Sequence, residues 1–163
     1  MLWRRVFKIL HELGSAGVLG AFATILVLIA FAPDPRESIE AYATSRTQIA
    51  MVSKWILTPS LLAVLTSGLG AMAVNPAYHD AGWAWAKAIT GLAMFEGTLL
   101  TVDASARRAA EWASAAVQSG VLDTATLESL LRRERGGLWG LLAIAVANVI
   151  LGVWRPRFSR ATS

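Results

Sequence analysis

The chain has no cysteine. That absence removes disulfides, thiolate metal sites, cysteine-held iron–sulfur clusters and covalent c-type haem attachment. Charge is also sparse: 16% of residues are charged against 55% hydrophobic, a balance that excludes both a disordered chain and an ordinary soluble domain. Histidine occurs twice, as His11 and His79. Any cofactor must therefore be held by histidine, lysine, methionine, carboxylates or packing.

Long apolar runs fill most of the 163 residues. Residues 7–31, 49–74, 82–102 and 137–154 each approach the ~20 residues that a helix needs to cross a bilayer core. Lipid leaves backbone groups no partner outside their own segment, so such runs are expected to be helical. The expected fold is all-α: a single polytopic membrane domain, a four-transmembrane-helix bundle, with lipid as its solvent. The net charge of +4 points to topology and anionic lipid rather than nucleic acid, since no basic, aromatic-interleaved soluble surface is present. Arg4, Arg5 and Lys8 before an apolar run, with Ala30-Phe31-Ala32 behind it, have the outline of a cleaved signal. The run is long for one and Pro33 would follow the cut, so the first helix is expected to be retained.

The punctuation sets the rest. Pro33 and Pro35 stop the first helix, a polar connection over about 34–47 leads to the second, and Pro59 is expected to bend that helix. The short link 75–81 makes the second and third helices antiparallel neighbours. The third has no breaker until Gly120, and Asp123 is placed to cap the helix that follows. A helical hairpin over about 104–135 is thus expected to project between spans three and four. Lysine and arginine do not fix the orientation: Arg4, Arg5, Lys8, Arg155, Arg157 and Arg160 stand on the terminal side, against Arg36, Arg46, Arg107, Arg108, Arg132, Arg133 and Arg135 on the other. Gly17 with Ala21, and Ser67 with Ala71, are small-xxx-small pairs suited to close helix approach.

Ionisable groups inside spans are costly and mark function by default. His11, Glu12, Lys87 and Asn148 are expected at one level near the terminal face, with His79 as a lid. Lys54 and Glu96 match in depth at the other face and are expected to form an intramembrane ion pair.

Lys8-Ile9-Leu10-His11-Glu12-Leu13-Gly14 resembles the K-x-x-H-x-x-G opening of a group of four-helix membrane proteins. Thr66-Ser67-Gly68-Leu69 is similar to a T-G-L segment common there, and Trp85-Ala86-Lys87 to a third-span lysine motif. The group includes the copper-resistance CopD domain, HemJ-type protoporphyrinogen oxidases and an uncharacterised family of predicted integral membrane proteins, to which Arg132–Gly140 is most similar. The resemblance implies a multi-pass protein of a bacterial inner membrane. It implies haem b with His11 as axial ligand, Lys87 or His79 opposite the iron, Lys87 as a catalytic candidate, and Arg4 or Arg5 on the propionates. Oxidoreductase chemistry would follow. The alternative is a non-catalytic subunit or scaffold that docks a partner membrane subunit, or a second copy, through the hairpin.

Overall fold

In a computed structural model, which describes residues 2–154, every regular element is helical. Helix α1 is Leu2–Ala30. Helix α2 is Ile39–Val74, one run in which a wide π turn, Ser53–Leu57, interrupts the α geometry. A 3-10 turn, Pro76–Tyr78, leads to α3, which runs over 82–119 with its own π turn at Thr98–Asp103. Helix α4 is Thr124–Trp154. The arginines at 155, 157 and 160 lie outside the described residues.

Local chemistry accounts for the ends. Ser38 caps α2 by accepting from the Ala41 amide at 3.3 Å, so that helix starts inside the stretch expected to be a polar connection. The π turn before Pro59 widens the helix where the proline ring would otherwise strike the preceding carbonyl. Gly120 closes α3 in the left-handed region, φ 69°, the conformation that L side chains resist. Gly120→Ala is expected to destabilise the protein by about 1–2 kcal/mol, read by thermal unfolding in detergent. Asp123 caps α4, accepting from the Thr126 amide at 3.2 Å and from its hydroxyl at 2.5 Å. These bonds hold its carboxyl below the ordinary range.

Each long helix packs on the next. Helix α1 lies along the Thr58–Val74 part of α2, which meets Gly82–Gly97 of α3, which in turn meets α4. The α1–α2 approach is tight at Gly14, where a Cβ would come within 2.9 Å of Val64 Cγ2 and 3.0 Å of the Ser60 carbonyl, and at Gly17, where it would run into the Ser60 side chain. Ala21 and Ser67 are buried in the same region. The main core joins Phe22, Ile25, Ile49, Leu57, Val102 and Leu138.

The stretch 104–135 is not a free hairpin. Ala104–Ser119 packs along Ile39–Val52, burying Ala106, Ala109, Ala113 and Ala116. Tyr42, Ala113 and Leu127 form a second small core there, and Trp112 meets Tyr42 edge-on with ring centres 6.3 Å apart. Alanine lets the backbones approach while Trp112 and Tyr42 supply the apolar bulk. This end of the molecule is a compact three-helix cap.

Among the described residues, three helices are long and apolar enough to cross a membrane: Leu2–Ala30, Ile39–Val74 and Thr124–Trp154. Only 28, 17 and 11% of their most apolar windows is buried within the fold. Large apolar side chains therefore face outward, among them Trp55 (70%), Ile89 (67%) and Val153 (80%). The run 82–119 does not reach that standard, because Lys87, Glu96 and several threonines dilute its apolar stretch.

Candidate functional site

Two polar levels are set into the apolar helices. The first includes His11, half-buried between α1 and α2. Its Nδ1 lies 3.1 Å from the Val64 carbonyl and 3.3 Å from Ser67 Oγ. A carbonyl only accepts, so Nδ1 carries the proton, and in the neutral ring Nε2 keeps its lone pair. The ring lies over Gly68, where a Cβ would make ordinary van der Waals contact with Cε1 at 3.6 Å. Lys87 and Glu12 are the charged groups whose fields reach this imidazole.

The same level continues between α3 and α4. Thr90 Oγ1 lies 2.8 Å from Asn148 Oδ1 and 2.8 Å from the Ala86 carbonyl. The Asn148 amide donates to the Ile144 carbonyl at 3.1 Å and reaches Met94 S at 3.6 Å. Lys87 extends over Gly152, where a Cβ would meet its Nζ at 2.8 Å. The structure thus splits the expected layer into two halves, His11 with α2, and Lys87 and Asn148 within the α3–α4 contact. Glu12, Arg4 and Arg5 are exposed on the first turns of α1.

His79 does not close over this level. Its Nε2 donates to the Met72 carbonyl at 2.9 Å, a second bond to an oxygen that also accepts from the Asn75 amide at 3.3 Å at the end of α2. Its own carbonyl accepts from Trp85 Nε1 at 3.0 Å.

The expected Lys54–Glu96 pair does not form. Among the described residues the ion pairs are Arg46–Glu134 and Asp103–Arg107. Lys54 and Glu96 are both exposed, and the Lys54 ammonium sits 5.2 Å from the Trp55 ring centre. Equal depth on two helices does not make two side chains face each other. The π turn that contains Lys54 also breaks the 3.6-residue phase from which a facing direction is read.

The second level lies where the cap joins the apolar section, and the sequence reading missed it. Arg46 Nη2 bonds both carboxylate oxygens of Glu134, at 2.9 and 2.8 Å, with both side chains 1% exposed. Beside it the two π turns meet: Ser53 Oγ donates to Asp103 Oδ1 at 3.3 Å, and Arg107 Nε lies 3.1 Å from Asp103 Oδ2. Tyr42 Oη, Arg46 Nε and Thr98 Oγ1 are buried without a protein partner. A helical stripe was the available signal. Tyr42, Arg46, Ile49, Ser53 and Leu57 recur on one face of α2, as do Leu127, Glu134, Leu138 and Leu141 on α4, each with one charge in an apolar row.

Among the described residues no group of three or more histidines, cysteines or carboxylates is placed to hold a metal ion. No protein-family model matches the chain, and no curated protein or solved structure is similar enough to count as a match.

Proposed function

We propose that the chain is a multi-pass integral membrane protein whose four helical runs all cross the bilayer, and that it acts as a non-catalytic membrane subunit, docking a partner on the outer face of its three-helix cap. The observation that carries this reading is the buried Arg46–Glu134 bond, which locks α2 to α4 and makes the cap a fixed surface. The polar side chains in the apolar section support it, because they meet across helices: Ser67 with His11 of α1, and Thr90 with Asn148 of α4. Four crossings are supported by the packing of 82–97 between its neighbours, which places Thr90 against Asn148 of α4 rather than lipid. The tryptophans agree. Trp3, Trp85 and Trp154 stand at one end and Trp55 and Trp139 at the other, all well exposed, as interfacial belts require.

A second reading has one observation in its favour. His11, with Nδ1–H held by a backbone carbonyl and Nε2 unspent, has the arrangement of an axial haem ligand, which is what the resemblance to the HemJ-type group implies. One axial position fits. Lys87 does not supply the other, because its ammonium lies against α4 while His11 lies against α2. When bound, haem would supply one-electron redox chemistry. The part of this chain would be to orient the imidazole through the Val64 carbonyl.

One cysteine-free background tests both readings. Single-cysteine variants Arg108→Cys and Glu111→Cys on the cap, and Asp80→Cys in the loop after α2, are treated in native membranes with an impermeant maleimide or, in separate samples, with a short thiol-reactive cross-linker. Cap and loop are expected to label from opposite faces, and the cap positions to give one discrete adduct that the loop position does not. Labelling from the same face removes the four-span reading, and no cap adduct removes the docking reading. A Soret band in haem-supplemented protein, lost in His11→Ala and kept in His79→Ala, moves the assignment to the haem reading.

A further inference from the structure

Between the end of α1 and the middle of α4 runs a half-open groove of about 320 Å³, lined by Leu26, Ile29, Ala30, Leu138, Trp139 and Arg135. Five of the six are apolar. Arg135 is the exception, and it is exposed and makes no hydrogen bond or ion pair with another described residue. The carboxylate beside it in sequence, Glu134, makes its bonds to Arg46 and forms no ion pair with Arg135. The groove also sits at a sharp boundary. The α4 sequence changes there from Arg132-Arg133-Glu134-Arg135 to the apolar run that follows Gly137, and Trp139, 66% exposed, stands beside it.

From this placement we infer a binding site for an anionic phospholipid, with its phosphate on the Arg135 guanidinium and one acyl chain along Leu26, Ile29 and Leu138. The ligand has to be amphipathic, because the groove is: a fork of donors that suits phosphate oxygens opens onto walls with no polar side chain. Basic pockets between membrane helices recruit lipid headgroups in this manner. The inference rests on the membrane reading for its setting. It does not rest on the docking reading, since the groove lies at the α1–α4 contact and the partner surface on the cap.

The full-length protein in detergent is titrated with phosphatidylglycerol, with phosphatidylcholine of the same acyl chains, and with inorganic phosphate. Adducts are counted by native mass spectrometry and thermal stability is followed in parallel. Phosphatidylglycerol is expected to bind about five-fold more tightly than phosphatidylcholine, as one interfacial arginine allows. Arg135→Gln removes that preference, Leu26→Trp abolishes the adduct by filling the groove, and Arg108→Gln on the cap changes neither. An unfolding temperature that is unchanged without lipid shows that the variants are folded. Equal binding of the two lipids overturns the site, as does a preference that survives Arg135→Gln. Stabilisation by inorganic phosphate equal to that by lipid overturns the acyl groove. A dimer that vanishes in Leu26→Trp assigns the groove to a second copy of the chain instead. The maleimide pattern tests the span count separately, so failure of the lipid site and failure of the membrane topology give different results.

Discussion

Replacing Glu134 with leucine alone is expected to destabilise the protein by about 3–5 kcal/mol, while Arg46→Met with Glu134→Leu together cost far less. The asymmetry follows from burial. Arg46 and Glu134 are each 1% exposed and joined by two bonds below 3 Å. Removing the carboxylate leaves a buried guanidinium without the group that both of its bonds go to. Its Nε already lacks a protein partner in the intact protein, and the carboxylate supplies both bonds that the side chain does make. Removing both charges at once restores an apolar contact of similar volume. Denaturant unfolding of the four proteins in a double-mutant cycle reads the coupling directly. Single variants that each cost under about 1 kcal/mol and add in the double would mean that the pair is not what locks the cap.

That pair also shows where sequence reading stops. Local signals carried the helices well. Gly120 ends α3 and Asp123 starts α4, as their chemistry dictates, and the absence of a breaker after residue 102 correctly extends α3 beyond its apolar run. The small pairs Gly17 with Ala21 and Ser67 with Ala71 marked close helix approach, and the fold supplies which helices meet: Gly17 of α1 against Ser60 of α2. Arg46 and Glu134, by contrast, are 88 positions apart. Each stood in a group of charges that looks like a topology signal, and only the helical stripe on which each lies separates it from its exposed neighbours. Lys54 and Glu96 failed for the complementary reason. Matching depth counts residues along two axes and ignores rotation about them, and the π turn at Ser53–Leu57 makes that rotation unreadable from a 3.6-residue period. His11 was found because a lone imidazole in an apolar run is conspicuous. That its Nδ1 is held by the Val64 carbonyl needed the fold of α2, whose π turn and proline set which carbonyls face α1.

The glycines of α1 give the other large effect, and they differ sharply within a few residues. Gly14→Ala is expected to destabilise by about 1–3 kcal/mol, the usual range for overpacking a tight contact. Gly20→Ala is expected to do no harm. At Gly14 the added carbon would stand 3.0 Å from the Ser60 carbonyl oxygen and 3.1 Å from the Val64 nitrogen. Those atoms belong to the backbone of α2 and cannot turn away as a side chain would, so the helices must separate. Separation would carry His11 off the Val64 carbonyl and Ser67, since that bond spans the same α1–α2 contact. At Gly20 nothing lies within 4 Å, and the new methyl group meets open surroundings. Thermal unfolding in one detergent gives the ranking. Histidine chemical shifts in the Gly14 variant report whether the imidazole has lost its acceptor. A Gly14→Ala protein as stable as the parent, with His11 unmoved, would show that α1 and α2 do not pack through this contact.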